Sequence, residues 1–228
     1  LNNPQAEKGN GNFVSKKSGE ALVVGNVQFT DALNSLTLAG TGNIGAISTN
    51  GASKGVINVG NTDAAGNVTV VKGTAGNNIG EATNTVKEVN VVKGSLTVES
   101  GSVFADSFSM MAGTSVDVNG NITTGSLDIQ GGVLEATDLV LKDVTKAELN
   151  GIDGGAVLTL NSLSIGKNQA LLVGEAGQGD ELGSNAVIYT NSLTINDSGA
   201  SIFVDPNYGT GASLFATNNI GADNATVS

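Results

Sequence analysis

Lys93–Lys142 reads KGSLTVESGSVFADSFSMMAGTSVDVNGNITTGSLDIQGGVLEATDLVLK. Short alternating pieces recur in it: Leu96-Thr97-Val98, Phe108-Ser109-Met110, Val116-Asp117-Val118, Leu127-Asp128-Ile129 and Leu139-Val140-Leu141. Each sets two large apolar residues at i and i+2, the period of a strand with one buried face. Gly, Asn or Ser turns interrupt after a few residues. The pattern predicts an all-β chain wound into stacked rungs, a parallel β-solenoid.

Working outward, the motif Ser-[Leu/Phe]-x-aliphatic recurs at Ser35–Leu38, Ser95–Val98, Ser107–Met110, Ser126–Ile129, Ser162–Ile165 and Ser192–Ile195. Several gaps fall near multiples of roughly 20 residues, the length of a rung made of three short strands and their corners. Further strands are expected at Ala21–Val24, Val27–Phe29, Ile44–Ile47, Val56–Val59, Val68–Val71, Val157–Leu160, Leu171–Val173, Val187–Tyr189 and Ile202–Val204. Residues 1–18 read as an N-terminal extension or cap, and 19–228 as a single solenoid domain. Polar loop insertions are expected near 73–87 and 174–185, and a loop or single helical turn near Thr145–Leu149.

Composition agrees. Aromatics are 4% and Trp is absent, so the core must be thin and aliphatic, as stacked rungs allow. Gly is frequent (33) and Pro scarce (2), which suits tight turns between strands most of whose N–H groups are needed for pairing. The net charge of −11 disfavours nucleic acid and anionic membrane as partners. Cysteine is absent, which excludes disulfides and thiol chemistry. No apolar run reaches the length of about 18 residues that a spanning helix needs. The opening at Leu1 and the lack of a natural stop suggest a piece of a longer protein.

His and Arg are also absent, which removes Ser-His-Asp systems, imidazole metal ligands and guanidinium clamps. No catalytic or cofactor-binding residue stands out. The candidate metal ligands are carboxylates. Asp106, Asp117, Asp128 and Asp138 are spaced so that Asp106 with Asp128, and Asp117 with Asp138, would sit about one rung apart. Such a ladder could hold a divalent cation or a sugar; a solvated face that limits edge association is the alternative. Asp180, in Gly177-Gln178-Gly179-Asp180-Glu181-Leu182, partly matches a calcium-binding nonapeptide. Four Asn-x-Ser/Thr sequons begin at Asn67, Asn121, Asn196 and Asn224 and read as turn chemistry.

The run GSLTVESGSVFADSFSMMAGTSVDVNGNITTGSLDIQGG resembles passenger domains of bacterial autotransporters and related large surface adhesins. The resemblance spans roughly residues 20–205, with no β-barrel translocator or protease motif. It implies a right-handed parallel β-helix on the outer membrane of a Gram-negative cell, or released from it, serving adhesion, self-association, biofilm and virulence. It implies no enzyme activity and no obligatory cofactor. The partner would be a second copy or a glycan or protein on a host or neighbouring cell, and a Thr49→Lys change alone is expected to do little. The alternatives are a surface-layer or matrix subunit assembled by calcium, and a carbohydrate-active β-helix enzyme dependent on Asp117 and Asp128.

Overall fold

The structure is a computed structural model that describes residues 12–16, 22–71, 77–153, 155–175, 186–195, 199–204, 213–222 and 226–227. Among them there is no helix. The strands are β1 (Asn12–Lys16), β2 (Leu22–Val24), β3 (Val27–Phe29), β4 (Ser35–Ile44), β5 (Ile47–Thr49), β6 (Lys54–Val59), β7 (Gly66–Val70), β8 (Val86–Val91), β9 (Gly94–Val98) and β10 (Val103–Met110). They continue with β11 (Ser115–Ile129), β12 (Gly132–Leu141), β13 (Glu148–Asp153), β14 (Ala156–Ile165), β15 (Gln169–Glu175), β16 (Val187–Ile195), β17 (Ser201–Val204), β18 (Ser213–Ala222) and β19 (Thr226–Val227).

Among the described residues every strand pairing is parallel. The strands β4, β6, β8, β10, β11, β9 and β7 close into a ring, with the others added to it. The ring closes because its two long members turn corners. Strand β4 pairs with β6 through Ser35–Leu38 and with β7 through Gly40–Ile44. Strand β11 pairs with β9 through Ser115–Val118 and with β10 through its later residues.

Register lines like residues up across neighbouring strands. Phe108 stands opposite Val89 on one side and Leu127 on the other. Leu96, Val116, Leu134, Leu158 and Ile188 succeed one another in the same way. These side chains are buried, and the residues between them face out, an alternation that runs along β6 and β14. Each fully buried Leu, Ile or Phe contributes about 1.5–3 kcal/mol. An alternating aliphatic sequence therefore pins the register, since a one-residue slip would turn every core side chain outward.

The corners depart from the sequence reading. Ile44 and Ile47 do not share a strand; Ile44 ends β4 and Ile47 opens β5. The candidate strand Val157–Leu160 and the motif Ser162–Ile165 lie in one strand, β14. Of the two readings of Thr145–Leu149 the structure has the loop: Thr145 and Lys146 form a bend, and Glu148 and Leu149 open β13. Within the polar stretch 73–87, Ile79 is fully buried and bridges Ile47 and Val103. Asn12–Lys16 of the N-terminal extension pair with Ser35–Ala39. Residues 176–185 of the second insertion lie outside the described residues.

Thr49 also departs from expectation. It is buried, and its hydroxyl donates to the carbonyls of Gly51 (2.7 Å) and Asn84 (3.0 Å). A lysine there would have to bury its ammonium or open the corner, so this is not a tolerant surface position. Thr124 and Thr190 repeat the arrangement, each donating at 2.8 Å to the carbonyl two residues on, at Ser126 and Ser192. Where the chain turns within β11 and β16, a buried threonine satisfies a carbonyl that the ladder leaves over.

Candidate functional site

Two outward surfaces carry organised polar groups. The first is a line of side chains on β4, β6, β8 and β10. Asn58 Nδ2 donates to Thr37 Oγ1 (3.4 Å), Asn90 Nδ2 to Asn58 Oδ1 (3.0 Å), and Ser109 Oγ to Asn90 Oδ1 (2.7 Å). Register places these residues opposite one another, so each amide meets the next across the spacing of about 4.8 Å between strands. The sequence separations are 21, 32 and 19 residues. The long step accommodates the polar stretch before β8, and it explains why the repeat looks irregular in the sequence.

The second is a shallow open groove of about 360 Å³ over β11, β12, β14 and β16, lined by Asp117, Glu135, Thr159 and the corner amides Asn119, Asn161 and Asn191 among others. Thr97, Asp117, Glu135, Thr159, Tyr189 and Phe215 follow one another in register, and Tyr189 is exposed. Asn119 Nδ2 donates to the Glu99 carbonyl (2.7 Å) and Asn191 Nδ2 to Asn161 Oδ1 (3.3 Å). Asp117 and Glu135 are like charges directly opposite one another, an arrangement that repels, and no lysine lines the groove. Its chemistry suits a hydroxyl-rich or cationic group.

The carboxylates expected to stack do not. Asp117 stands opposite Glu135 rather than Asp138, and Asp128 stands opposite Ser109 and Gly151 rather than near Asp106. The step between strands here is 18–19 residues, shorter than the expected ladder requires. Asp117 and Asp128 are exposed, as their apolar neighbours predicted. Asp128 accepts from Gln130 Nε2 (3.1 Å), and half-buried Asp138 accepts from Ser162 Oγ (2.6 Å). Asp180 lies outside the described residues. Among those residues, no three His, Cys, Asp or Glu converge on a metal position. Glu135 went unnoticed because only the 18-residue step reveals it as the neighbour of Asp117.

Asp106 belongs to a separate cluster. Its carboxylate accepts from the Ser53 hydroxyl, from Thr85 Oγ1 (2.8 Å) and from Lys142 Nζ (2.9 Å). Burial opposes its ionisation, but the hydrogen bonds from Ser53, Lys142 and Thr85 and the Lys142 charge outweigh burial. The carboxyl therefore titrates below the ordinary aspartate value of 3.8. A depressed folded-state pKa contributes stability above the unfolded value, and this is lost as pH falls through the folded one. Asp106→Asn is thus expected to lower the urea midpoint at neutral pH. The gap from the parent protein should close at a pH below the ordinary aspartate range. A gap that is the same at both pH values would contradict this account.

No protein family, curated protein or solved structure matches the chain.

Proposed function

We propose that the chain is a stretch of a bacterial surface adhesin, an extracellular passenger that does no chemistry and works by display and self-association. The architecture that goes with this reading is a right-handed parallel β-helix of roughly 20 residues per rung. In this reading residues 19–228 belong to one domain. Parallel pairing throughout, with core columns that continue from strand to strand, supports the coil.

The Thr37–Asn58–Asn90–Ser109 line carries the functional reading. It is an outward surface of uncharged amides and hydroxyls, repeated at strand spacing. On an acidic chain, a neutral stripe is where two copies can approach without strong repulsion. Each contact is weak, and repetition supplies avidity. The partner is a second copy of the chain.

Sedimentation velocity over a concentration series without calcium is expected to show reversible association. Asn58→Asp combined with Asn90→Asp should abolish it by setting like charges against like on both copies. A monomer at every concentration that binds neither cells nor glycans would sink the adhesin reading. Polymers that need calcium and dissolve in chelator would point instead to a surface-layer or matrix subunit.

A further inference from the structure

The sequence contains four Asn-Gly pairs, at Asn10-Gly11, Asn50-Gly51, Asn119-Gly120 and Asn150-Gly151. Such a pair can modify itself. The backbone nitrogen of the glycine attacks the asparagine Cγ, a C–N bond forms, and the amide nitrogen leaves as ammonia after taking up a proton. The resulting succinimide then adds water and opens to aspartate or isoaspartate. Glycine favours the attack because no Cβ obstructs it and its backbone bends freely. The reaction needs an unencumbered glycine N–H, a bent backbone and an asparagine Nδ2 that no acceptor holds. The first pair lies outside the described residues; the other three differ in all of these respects.

Asn150 is fully buried with both ends of its amide engaged, and Gly151 is paired within β13. Asn119 lies in extended β11 with its Nδ2 held by the Glu99 carbonyl, and Gly120 is crowded by the Gly101 carbonyl and the Ser102 hydroxyl. Asn50 is exposed on the bend after β5. Among the described residues, no backbone carbonyl accepts from the Gly51 N–H. Lys54 Nζ donates to Asn50 Oδ1 at 2.8 Å, and it would lie 3.5 Å from a Cβ placed on Gly51. The ammonium therefore sits where the attack would put negative charge on Oδ1.

We propose that Asn50-Gly51 is a self-modification site, at which the folded chain converts Asn50 to aspartate and isoaspartate with help from Lys54. The product places a carboxylate beside Lys54. Its iso form also lengthens the backbone at the point where the Gly51 carbonyl accepts from Thr49.

The test is peptide mapping of the purified chain after incubation at mildly alkaline pH, folded and in urea, with enzymatic methylation to mark isoaspartate. In the folded protein, the mass gain of an amide-to-acid change is expected at Asn50 first, while Asn119 and Asn150 keep their amides. In urea all three should react at similar rates. Asn50→Gln should remove the signal. Lys54→Gln should slow it several-fold in the folded chain and leave the rate in urea unchanged. If Asn119 or Asn150 reacts as fast as Asn50 in the folded protein, or Asn50 stays an amide, the site assignment is overturned. An unchanged folded-state rate in Lys54→Gln overturns the part given to the lysine.

Discussion

Replacing Asn150 with alanine is expected to destabilise the fold by roughly 3–5 kcal/mol. Asn150 occupies a core position, with no exposed surface, between Leu127 and Leu171. Its Oδ1 accepts from the Leu127 N–H at 2.7 Å, and its Nδ2 donates to Gln169 Oε1 (2.7 Å) and the Ala170 carbonyl (3.0 Å). Gln169 is equally buried, and its own Nε2 donates to the carbonyls of Gly125 and Lys142, both at 2.8 Å. Removing the Asn150 amide leaves a donor and two acceptors unpaired and away from water, each costing about 1–3 kcal/mol. The cavity left by the side chain adds to this. Gln169→Ala should cost a similar amount. Because the two side chains form one network, the double variant should cost clearly less than the two singles together. Urea unfolding of the three variants checks this, and a loss under about 1 kcal/mol for Asn150→Ala would mean that water or a shifted backbone takes over its bonds.

That network also marks where the sequence stops being readable. Val116-Asp117-Val118 and Leu127-Asp128-Ile129 announce which side chains go in and which go out, because the period of two depends only on local backbone geometry. The partner of each strand depends on how many residues the intervening turns consume, and no local pattern records this. Hence Asp117 meets Glu135 and not Asp138. Asp106 gathers Ser53, Thr85 and Lys142, which are up to 53 residues away in sequence. Asn150, Gln169 and Thr49 read as surface residues by type, since polar side chains are seldom buried. Only the arrangement of backbone groups left over at the corners shows why they are inside. The candidate surfaces were legible as outward Asn, Ser and Thr positions, but not as connected lines, for the same reason.

Gly94→Ala is expected to cost about 3 kcal/mol or more, against about 1–2 kcal/mol for Gly113→Ala. Both glycines have positive φ, 105° and 74°, so alanine strains the backbone at either. Their surroundings differ. A Cβ on Gly113 would meet nothing within 4 Å. Gly94 ends a register line, Gly40–Gly66–Gly94, where three strands pass close together, and its Cβ would run into the Gly66 carbonyl oxygen. That backbone has little room to yield. Gly66 N–H donates to the Lys93 carbonyl (2.8 Å), Gly40 N–H to Ala65 (2.8 Å) and Gly60 N–H to Leu38 (2.7 Å). Relieving the clash means lengthening bonds in neighbouring strands, so the cost spreads beyond the substituted residue. Gly113→Ala measures the strain of an open turn glycine, and the excess loss at Gly94 in thermal or urea unfolding measures close approach together with its wider φ. Equal losses would show that the glycine line is kept for its backbone angles. A much larger loss at Gly94 would show that the missing Cβ lets the strands turn this corner in register.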